Sequence, residues 1–581
     1  AKGVRTPATM ATRRPGEPKV GMAGSYARIS FWGVPSTPTQ PLATRQRALD
    51  ALSHDTFDVL VVGGGITGAG VARDAAMRGL RTALVEQDDF ASGTSSRSSR
   101  LVHGGVRYLE HGQLRLVFES SAERRTLRRI APHLVRPLAF VWPVYAGARV
   151  PRWKLAAGLT LYDLLALFRN VGRHERLTAA GVLAREPRLL RDALVGGARY
   201  WDAATDDARL TLATIRSARE AGAVVLNHAR VVSLAMTNAR VGGARVVDRA
   251  TGASVDVSAR VVVNATGPWS DAVERMADGA SRPAVRGSKG VHVCVARERV
   301  DNVGALTLLA PRDGRVMFVL PAGDFTIIGT TDSYETVEPD QVRASESDVS
   351  YLLDAANHFF PTARLTRADV VSAWAGLRPL KAENGGDDPG AASREHTIVE
   401  HVPGLVSVTG GKLTTYRVMA SQVVDAAQRS LGTRHTRSTT ARRALAGGAV
   451  ADVAREIAAA AALTRDTALA TRLVHAHGDA WRDVWTLAEN DAALAERVEQ
   501  TRPYIRAELL YAAREELALT LGDLLIRRIP LAFELRDHGR EAARRVAPDV
   551  ARWLSWSPVE MRAAIAEYDA EVERMFRVES R

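Results

Sequence analysis

Four uninterrupted apolar residues, Val59–Val62, predict a strand buried on both faces. Apolar positions then recur at helical spacing from Ile66 to Met77, and a second apolar run, Thr82–Val85, predicts another strand. Gly63, Gly65 and Gly68 fill the turn between strand and helix. Gly79 falls just past the helix, where a left-handed residue ends it. Strand, glycine turn, helix and strand in this order make a βαβ unit.

Another helical pattern spans Gln113–Ile130 and is closed by Pro132. Residues 136–200 read as an insertion, with an apolar-aromatic stretch at Pro137–Tyr145 and a helix over Trp153–Phe168. Leu155, Leu159, Tyr162, Leu165 and Phe168 share one face of that helix, read as packed inside protein rather than turned to lipid. A helix at Asp206–Ala221 follows, with strands at Ala223–Leu226, Val231–Leu234, Ala244–Val247 and Ala259–Asn264. Residues 285–335 are strand-rich, and 347–359 are helical. Val370–Trp374 is a strand entering Gly376-Leu377-Arg378-Pro379, read as a tight turn. After a strand at Gly404–Thr409, Gly410 and Gly411 open a helix reaching about Arg429. From residue 446 the composition turns to Ala, Leu, Arg and Glu with helical periodicity and almost no strand signal. The pattern predicts an α/β fold with three parts: a discontinuous Rossmann-like domain (56–135, 201–275, 396–430), a β-rich domain (136–200, 276–395) and an all-helical C-terminal domain (446–581).

The glycine turn carries the first candidate chemistry. Gly63 permits the sharp turn, Gly65 lets a pyrophosphate approach the helix N-terminus, and Gly68 lets helix and strand pack closely. Glu86 ends the second strand 18 residues beyond Gly68, placed to accept hydrogen bonds from a ribose. These are the parts of a dinucleotide cradle.

Composition narrows the field. The chain has 581 residues, 46% hydrophobic and 25% charged, which suits two to four globular domains. A single cysteine, Cys294, excludes an intrachain disulfide and a multi-cysteine metal site; no metal is expected, and Cys294 reads as a small buried residue. A net charge of +13 favours anionic partners, such as phosphorylated substrates or acidic headgroups. No basic stripe is interleaved with aromatics, so no nucleic-acid partner is expected. The first 56 residues carry eight cations against three carboxylates among many Pro, Gly and Thr; residues 1–55 read as a disordered basic tail, with Met10 and Met22 as alternative starts. No apolar run approaches the roughly 20 residues a membrane-spanning helix needs.

Six segments, taken in order, identify a family: Gly63 to Gly68, Ser98 to Glu110, Asn264 to Trp269, Gly329 to Asp332, Gly376 to Pro379 and Gly410 to Tyr416. Together they closely resemble the FAD-dependent glycerol-3-phosphate dehydrogenases, within the wider D-amino-acid-oxidase-like flavoproteins. The resemblance is strong from Thr56 to Arg429 and general in the helical C-terminal region. It implies FAD as cofactor, an FAD-binding domain, a substrate domain over the flavin and a helical cap. It also implies oxidation of sn-glycerol 3-phosphate to dihydroxyacetone phosphate at the cytoplasmic face of the cell membrane. Electrons would pass to a quinone, attachment would be peripheral, and a homodimer stays open. Carried over by position, Gly63, Gly65, Gly68 and Glu86 hold the ADP part. Ser98, Ser99, His103, Gly104 and Gly105 line the isoalloxazine, with Thr266, Gly267, Lys412, Leu413 and Thr414 near it. Arg100 stands where lysine is common, and Val291 where some relatives have a small polar residue.

The implied chemistry sets its own demands. A phosphate dianion needs guanidinium or ammonium donors; Arg107, Arg378, Arg394 and Lys412 are the candidates, with Tyr108 orienting substrate. Hydride transfer from C2 to flavin N5 needs the C2 hydroxyl deprotonated, for which His292 is the first candidate base and Asp332 its orienter or alternative. Arg378 is too strong a cation to act as base but suits a developing alkoxide. Two other readings stay open: an oxidase passing electrons to oxygen, and a non-catalytic FAD-binding interaction protein.

Overall fold

In the computed structural model, Thr56–Val62 sits inside an eight-stranded sheet, parallel to Thr82–Val85 on one side and to Ser254–Asn264 on the other. Val224–Leu226 and Leu405–Thr409 extend the parallel order at its two flanks. Because these strands point the same way, Gly63, Glu86, Ala265 and Gly410 all follow carboxyl ends on one edge, where parallel sheets bind ligands. The helices Ile66–Met77, Asp207–Glu220 and Tyr416–Leu431 pack together over this sheet and bury Val59, Val61, Leu84 and Val263. The structure describes residues 41–580 except 110–111, 168–169, 280–284, 336 and 382–395, and leaves out the side chains of Pro41, Arg107 and Lys381.

Predicted and observed elements agree closely in this unit, down to the Ile66–Met77 and Thr82–Val85 boundaries. Gly79 has φ +84°. The two short strands predicted near 231 and 244 are longer, forming the antiparallel hairpin Ala229–Thr237 and Arg240–Asp248. Asn238 and Ala239 turn it, both with positive φ.

One correction falls at the N-terminus. Residues 1–40 lie outside the described residues, but Pro41–His54 is a helix rather than part of a disordered tail. Leu52 is fully buried in the core beneath the sheet, and Arg45 forms a buried ion pair with Asp248 while donating to the Asn227 carbonyl at 2.8 Å. Two anchors 180 residues and more away in sequence fix a segment whose local composition gives no such sign.

A second, ten-stranded sheet is mostly antiparallel. The aromatic stretch Arg136–Tyr145 is a strand of it, paired along Leu194–Ala204. The expected boundary at residue 201 therefore cuts a strand, and Leu101–Val102, expected in the first domain, also joins this sheet. Gly376-Leu377-Arg378-Pro379 is not a turn. It lies inside the continuous strand Val370–Lys381, antiparallel to Val285–Ala296, with Arg378 opposite Ser288. No described strand pairs on its other side, which is where a sheet tolerates proline. In the insertion helix, Arg152–Leu165, the stripe Leu155, Leu159 and Tyr162 is buried and Leu165 half-buried, as a packed helix requires; Phe168 lies outside the described residues.

The helices from Val453–Thr464 to Pro558–Phe576 form the C-terminal part. Its Phe533 meets Trp374 of the second sheet edge-on, with ring centroids 5.1 Å apart. The turn Asp523–Arg528 reaches the first sheet, where Arg527 and Arg528 clamp Asp89 in the loop after Glu86. Asp89, His228 and Asp523 approach one another as metal ligands would, but these arginines and His228 already engage both carboxylates.

Candidate functional site

A cavity of about 410 Å³ runs along the carboxyl edge of the parallel sheet and on to the second sheet. One end is the predicted cradle. Gly63 adopts φ +109°, and a Cβ there would stand 2.7 Å from the Ala265 carbonyl oxygen; one on Gly68 would collide with the carbonyl of Gly63. Gly65 caps the helix without a side chain and leaves its N-terminus approachable. Ser95, which the sequence reading missed, accepts from the Ile66 N–H at 2.9 Å. Glu86 accepts from the N–H of Gly64 at 2.6 Å and of Asp88 at 2.9 Å. Burial nevertheless pushes its carboxyl up to about 7, outweighing those two donors.

The middle of the cavity is built by segments far apart in sequence. The Thr414 hydroxyl stands 3.2 Å from both the N–H and the carbonyl of His103, joining two predicted flavin-lining loops. Gly104 donates its N–H to Asp202 at 2.9 Å; Asp202 also pairs with Arg124 and accepts from the Tyr162 hydroxyl at 2.7 Å. A Cβ on Gly104 would run into that hydroxyl. The glycine is therefore fixed by sterics, and the buried Arg–Tyr–Asp cluster behind it went unforeseen because no motif marks Asp202. Ser98, Ser99, Gly105, Thr266, Gly267 and Leu413 line the cavity with His103 and Thr414, whereas Gly104 is not one of the residues that line it. Ser98 turns its hydroxyl to Asp207 at 2.6 Å, so its side chain serves the loop.

The far end gathers the candidate substrate residues. Arg378 lies 3.1 Å from Asp332 and donates to the Thr330 hydroxyl at 3.0 Å. Asp332 also accepts from Ser288, so its described partners are Arg378 and Ser288, not His292 as an orienter would require. Arg315 donates to the Asp332 carbonyl at 2.6 Å and lines the cavity, a cation with no sequence signature. Lys412 Nζ sits 3.7 Å over the ring of Tyr108. The Arg107 side chain and all of Arg394 lie outside the described residues.

His292 is buried between Trp374, on which it stacks at 5.4 Å, and the Ser99 hydroxyl, 2.9 Å from its Nε2. Burial, then the charges of Arg378 and Arg100, lower it to about 3, so the ring is neutral at physiological pH. Cys294, two residues on, is buried as expected and its thiol is pushed up to about 12 by burial.

Residues 58–417 match the family described as FAD dependent oxidoreductase, and 438–561 match the C-terminal domain of alpha-glycerophosphate oxidase. Glycerol-3-phosphate dehydrogenase 2 of Mycobacterium tuberculosis (strain ATCC 25618 / H37Rv) is 40% identical over 547 residues, 92% of each chain. The chain belongs to the FAD-dependent glycerol-3-phosphate dehydrogenase family. The aerobic glycerol-3-phosphate dehydrogenase of Staphylococcus aureus (strain NCTC 8325 / PS 47) is 34% identical over 549 residues, 92% of this chain and 96% of the other. The X-ray structure of the Bacillus halodurans glycerol-3-phosphate dehydrogenase complexed with FAD aligns with a TM-score of 0.77 at 32% identity, covering 94% of this chain and 100% of that one. FAD is the family's cofactor, and the glycine-walled cradle with Glu86 beside it fits an adenine dinucleotide at one end of a continuous cavity.

Proposed function

We propose that the protein oxidises sn-glycerol 3-phosphate to dihydroxyacetone phosphate and passes the electrons to a membrane quinone. The observation that carries this reading is the pairing of a dinucleotide cradle at one end of the cavity with Arg378, Arg315 and Lys412 at the other. A small phosphorylated alcohol suits that cationic end. The unit built on the parallel sheet holds FAD, while the ten-stranded sheet presents the substrate. Gly63, Gly65, Gly68 and Glu86 take the ADP part; Ser99, His103, Gly104, Gly105, Thr266, Gly267, Leu413 and Thr414 flank the ring system.

FAD supplies the acceptor for the hydride that leaves C2. The chain's own residues manage charge and proton. Arg378 and Lys412 bind phosphate, joined by Arg107 and Arg394 on the strength of their motifs. The C2 hydroxyl proton goes to His292, directly or through the Ser99 hydroxyl that touches its Nε2. With a pKa near 3 the free imidazole is a weak base. A phosphate dianion beside Arg378 offsets one of the charges that depress it, so substrate binding itself strengthens the base. Arg378, held by Asp332, then faces the developing alkoxide.

A second reading, the oxidase, is favoured by the alpha-glycerophosphate oxidase match over 438–561. Anaerobic mixing of the FAD-loaded protein with sn-glycerol 3-phosphate tests both. Bleaching of the flavin band is expected; a band that persists would leave only a non-catalytic flavoprotein. Reoxidation by a quinone analogue supports the dehydrogenase, whereas stoichiometric peroxide without quinone activity selects the oxidase. We infer peripheral attachment at the inner face of the cell membrane from the resemblance to the quinone-linked dehydrogenases; no helix among the described residues is long and apolar enough to cross a bilayer.

A further inference from the structure

Three cations at the far end of the cavity have described partners: Arg378 pairs with Asp332, Arg315 donates to the Asp332 carbonyl, and Lys412 lies over the Tyr108 ring. Arg97 differs. It lines the same cavity and is half-buried. Its Nε is buried without a hydrogen-bond partner, and no carboxylate among the described residues pairs with its guanidinium. Burial pulls even this strong cation down to about 10; Glu571 raises it, and Arg527 and Arg574 lower it again.

The backbone fixes its place. The turn Thr94–Ser96 precedes it, and the Thr94 hydroxyl donates to the Leu377 carbonyl at 2.6 Å. A Cβ on Gly376 would stand 2.6 Å from the Arg97 carbonyl oxygen and 3.2 Å from the Arg97 Cβ, so the segment lies flush against the strand Val370–Lys381. Two residues before Arg97, Ser95 accepts from the Ile66 N–H at the helix N-terminus; two residues after it, Ser99 touches His292. The segment carrying Arg97 thus runs from the nucleotide cradle to the candidate base.

In an aqueous cavity the guanidinium is solvated. A ligand that fills the cavity strips that water, and a charge left unmatched then costs several kcal/mol. The ligand must bring the counter-charge. FAD carries negative charge in two places: always on its diphosphate, and on the ring once a hydride has been added to it.

We propose that Arg97 is the counter-charge for an anionic group of bound FAD, the diphosphate or the reduced ring. The inference rests on FAD occupying this cavity. Arg97 stands just ahead of the Ser98–Glu110 segment and holds none of the roles carried over by resemblance. Against the diphosphate it would strengthen binding of both redox states alike. Against the reduced ring it would favour the reduced state and raise the flavin potential.

Arg97→Met keeps most of the side-chain length and removes the charge; Arg97→Lys keeps the charge. FAD release on dilution of the holoenzyme and the midpoint potential of its flavin tell the two sources apart. If the diphosphate is the partner, Arg97→Met binds oxidised FAD at least about tenfold more weakly, with the potential kept. If the reduced ring is the partner, oxidised FAD binds as in wild type and the potential falls by at least about 30 mV, a tenfold shift in relative affinity for a two-electron couple. In both cases Arg97→Lys is expected to recover part of the effect. Unchanged FAD affinity and potential in Arg97→Met overturn the proposal. So does a loss confined to the KM for sn-glycerol 3-phosphate, which would give Arg97 to the substrate. Lost circular dichroism at saturating FAD in both Arg97→Met and Arg97→Gln would make Arg97 a structural residue and overturn it as well. If wild type binds no FAD, the cofactor's place in this cavity fails first, and the role of Arg97 with it.

Discussion

The Ser99 hydroxyl and His292 Nε2 lie 2.9 Å apart although 193 residues separate them. The contact joins the loop after the nucleotide cradle to a strand of the second sheet, and it leaves His292 Nδ1 buried without a hydrogen-bond partner among the described residues. Removing the base is expected to slow anaerobic flavin reduction by roughly 10²–10⁴-fold in His292→Ala, with FAD still bound. Ser99→Ala is expected to lose less, about 5- to 150-fold, the worth of one hydrogen bond of about 1–3 kcal/mol. Stopped-flow bleaching measures both; wild-type rates in His292→Ala would remove it as the base.

Arg378 has two tasks in this scheme, phosphate binding and alkoxide stabilisation, and a fork geometry that lysine lacks. Arg378→Lys is therefore expected to fall well short of rescue. Steady-state kinetics should show kcat/KM down by roughly 10²–10³-fold for Arg378→Lys, with kcat carrying part of the loss. Asp332→Asn keeps a hydrogen-bonding partner for Arg378 and removes its charge, and is expected to act mainly on kcat. A change confined to KM would reduce Arg378 to a binding residue.

Glu86 gives FAD affinity a pH dependence of predictable sign. Its carboxyl sits near 7 because burial favours the neutral form. Ribose hydroxyls donating to it favour the charged form, so binding and deprotonation help each other. Affinity is expected to be full above pH 7 and to fall as pH drops through 7, by at most about tenfold per unit. Fluorescence titration of apo-protein with FAD reads this directly. Glu86→Gln should bind more weakly and lose the slope; an unchanged slope would place the proton elsewhere.

The parallel sheet was legible because each of its strands is a short apolar run and its turns carry glycine; the cradle followed from spacing alone. The far end of the cavity was legible only as motifs. Arg378 read as part of a turn because Gly376 and Pro379 are local turn signals, whereas pairing with Val285–Ala296, some 90 residues earlier, decides the backbone. Pro41–His54 was missed for the same reason: the partners that order it, Asn227 and Asp248, are remote. Arg315 and Asp202 carry no motif, and their roles exist only once the two sheets are folded. Local pattern gave elements; long-range pairing gave the site.

The ties of Asp89 yield the last expectation. Its carboxylate accepts from Arg527 Nε at 2.7 Å, from Arg528 Nη1 at 2.6 Å and Nη2 at 3.0 Å, and from Asn227 Nδ2 at 3.0 Å, all buried. Asp89→Ala would strand guanidinium charge in the interior, which costs about 3–5 kcal/mol when no other counter-charge stands near. Other carboxylates do stand near: Arg527 keeps Asp523 and Glu571, and Arg528 keeps Glu516 at 3.4 Å. The loss is thus expected at the lower end, about 3 kcal/mol, read as a lowered melting temperature by calorimetry. Asp55→Ala, which breaks the exposed pair with Arg81, should cost less than about 1 kcal/mol. Because Asp89 stands three residues after Glu86, its loss should also weaken FAD binding, and added FAD should recover part of the melting temperature. A variant as stable as wild type would mean that the helical region docks on the nucleotide domain without this clamp.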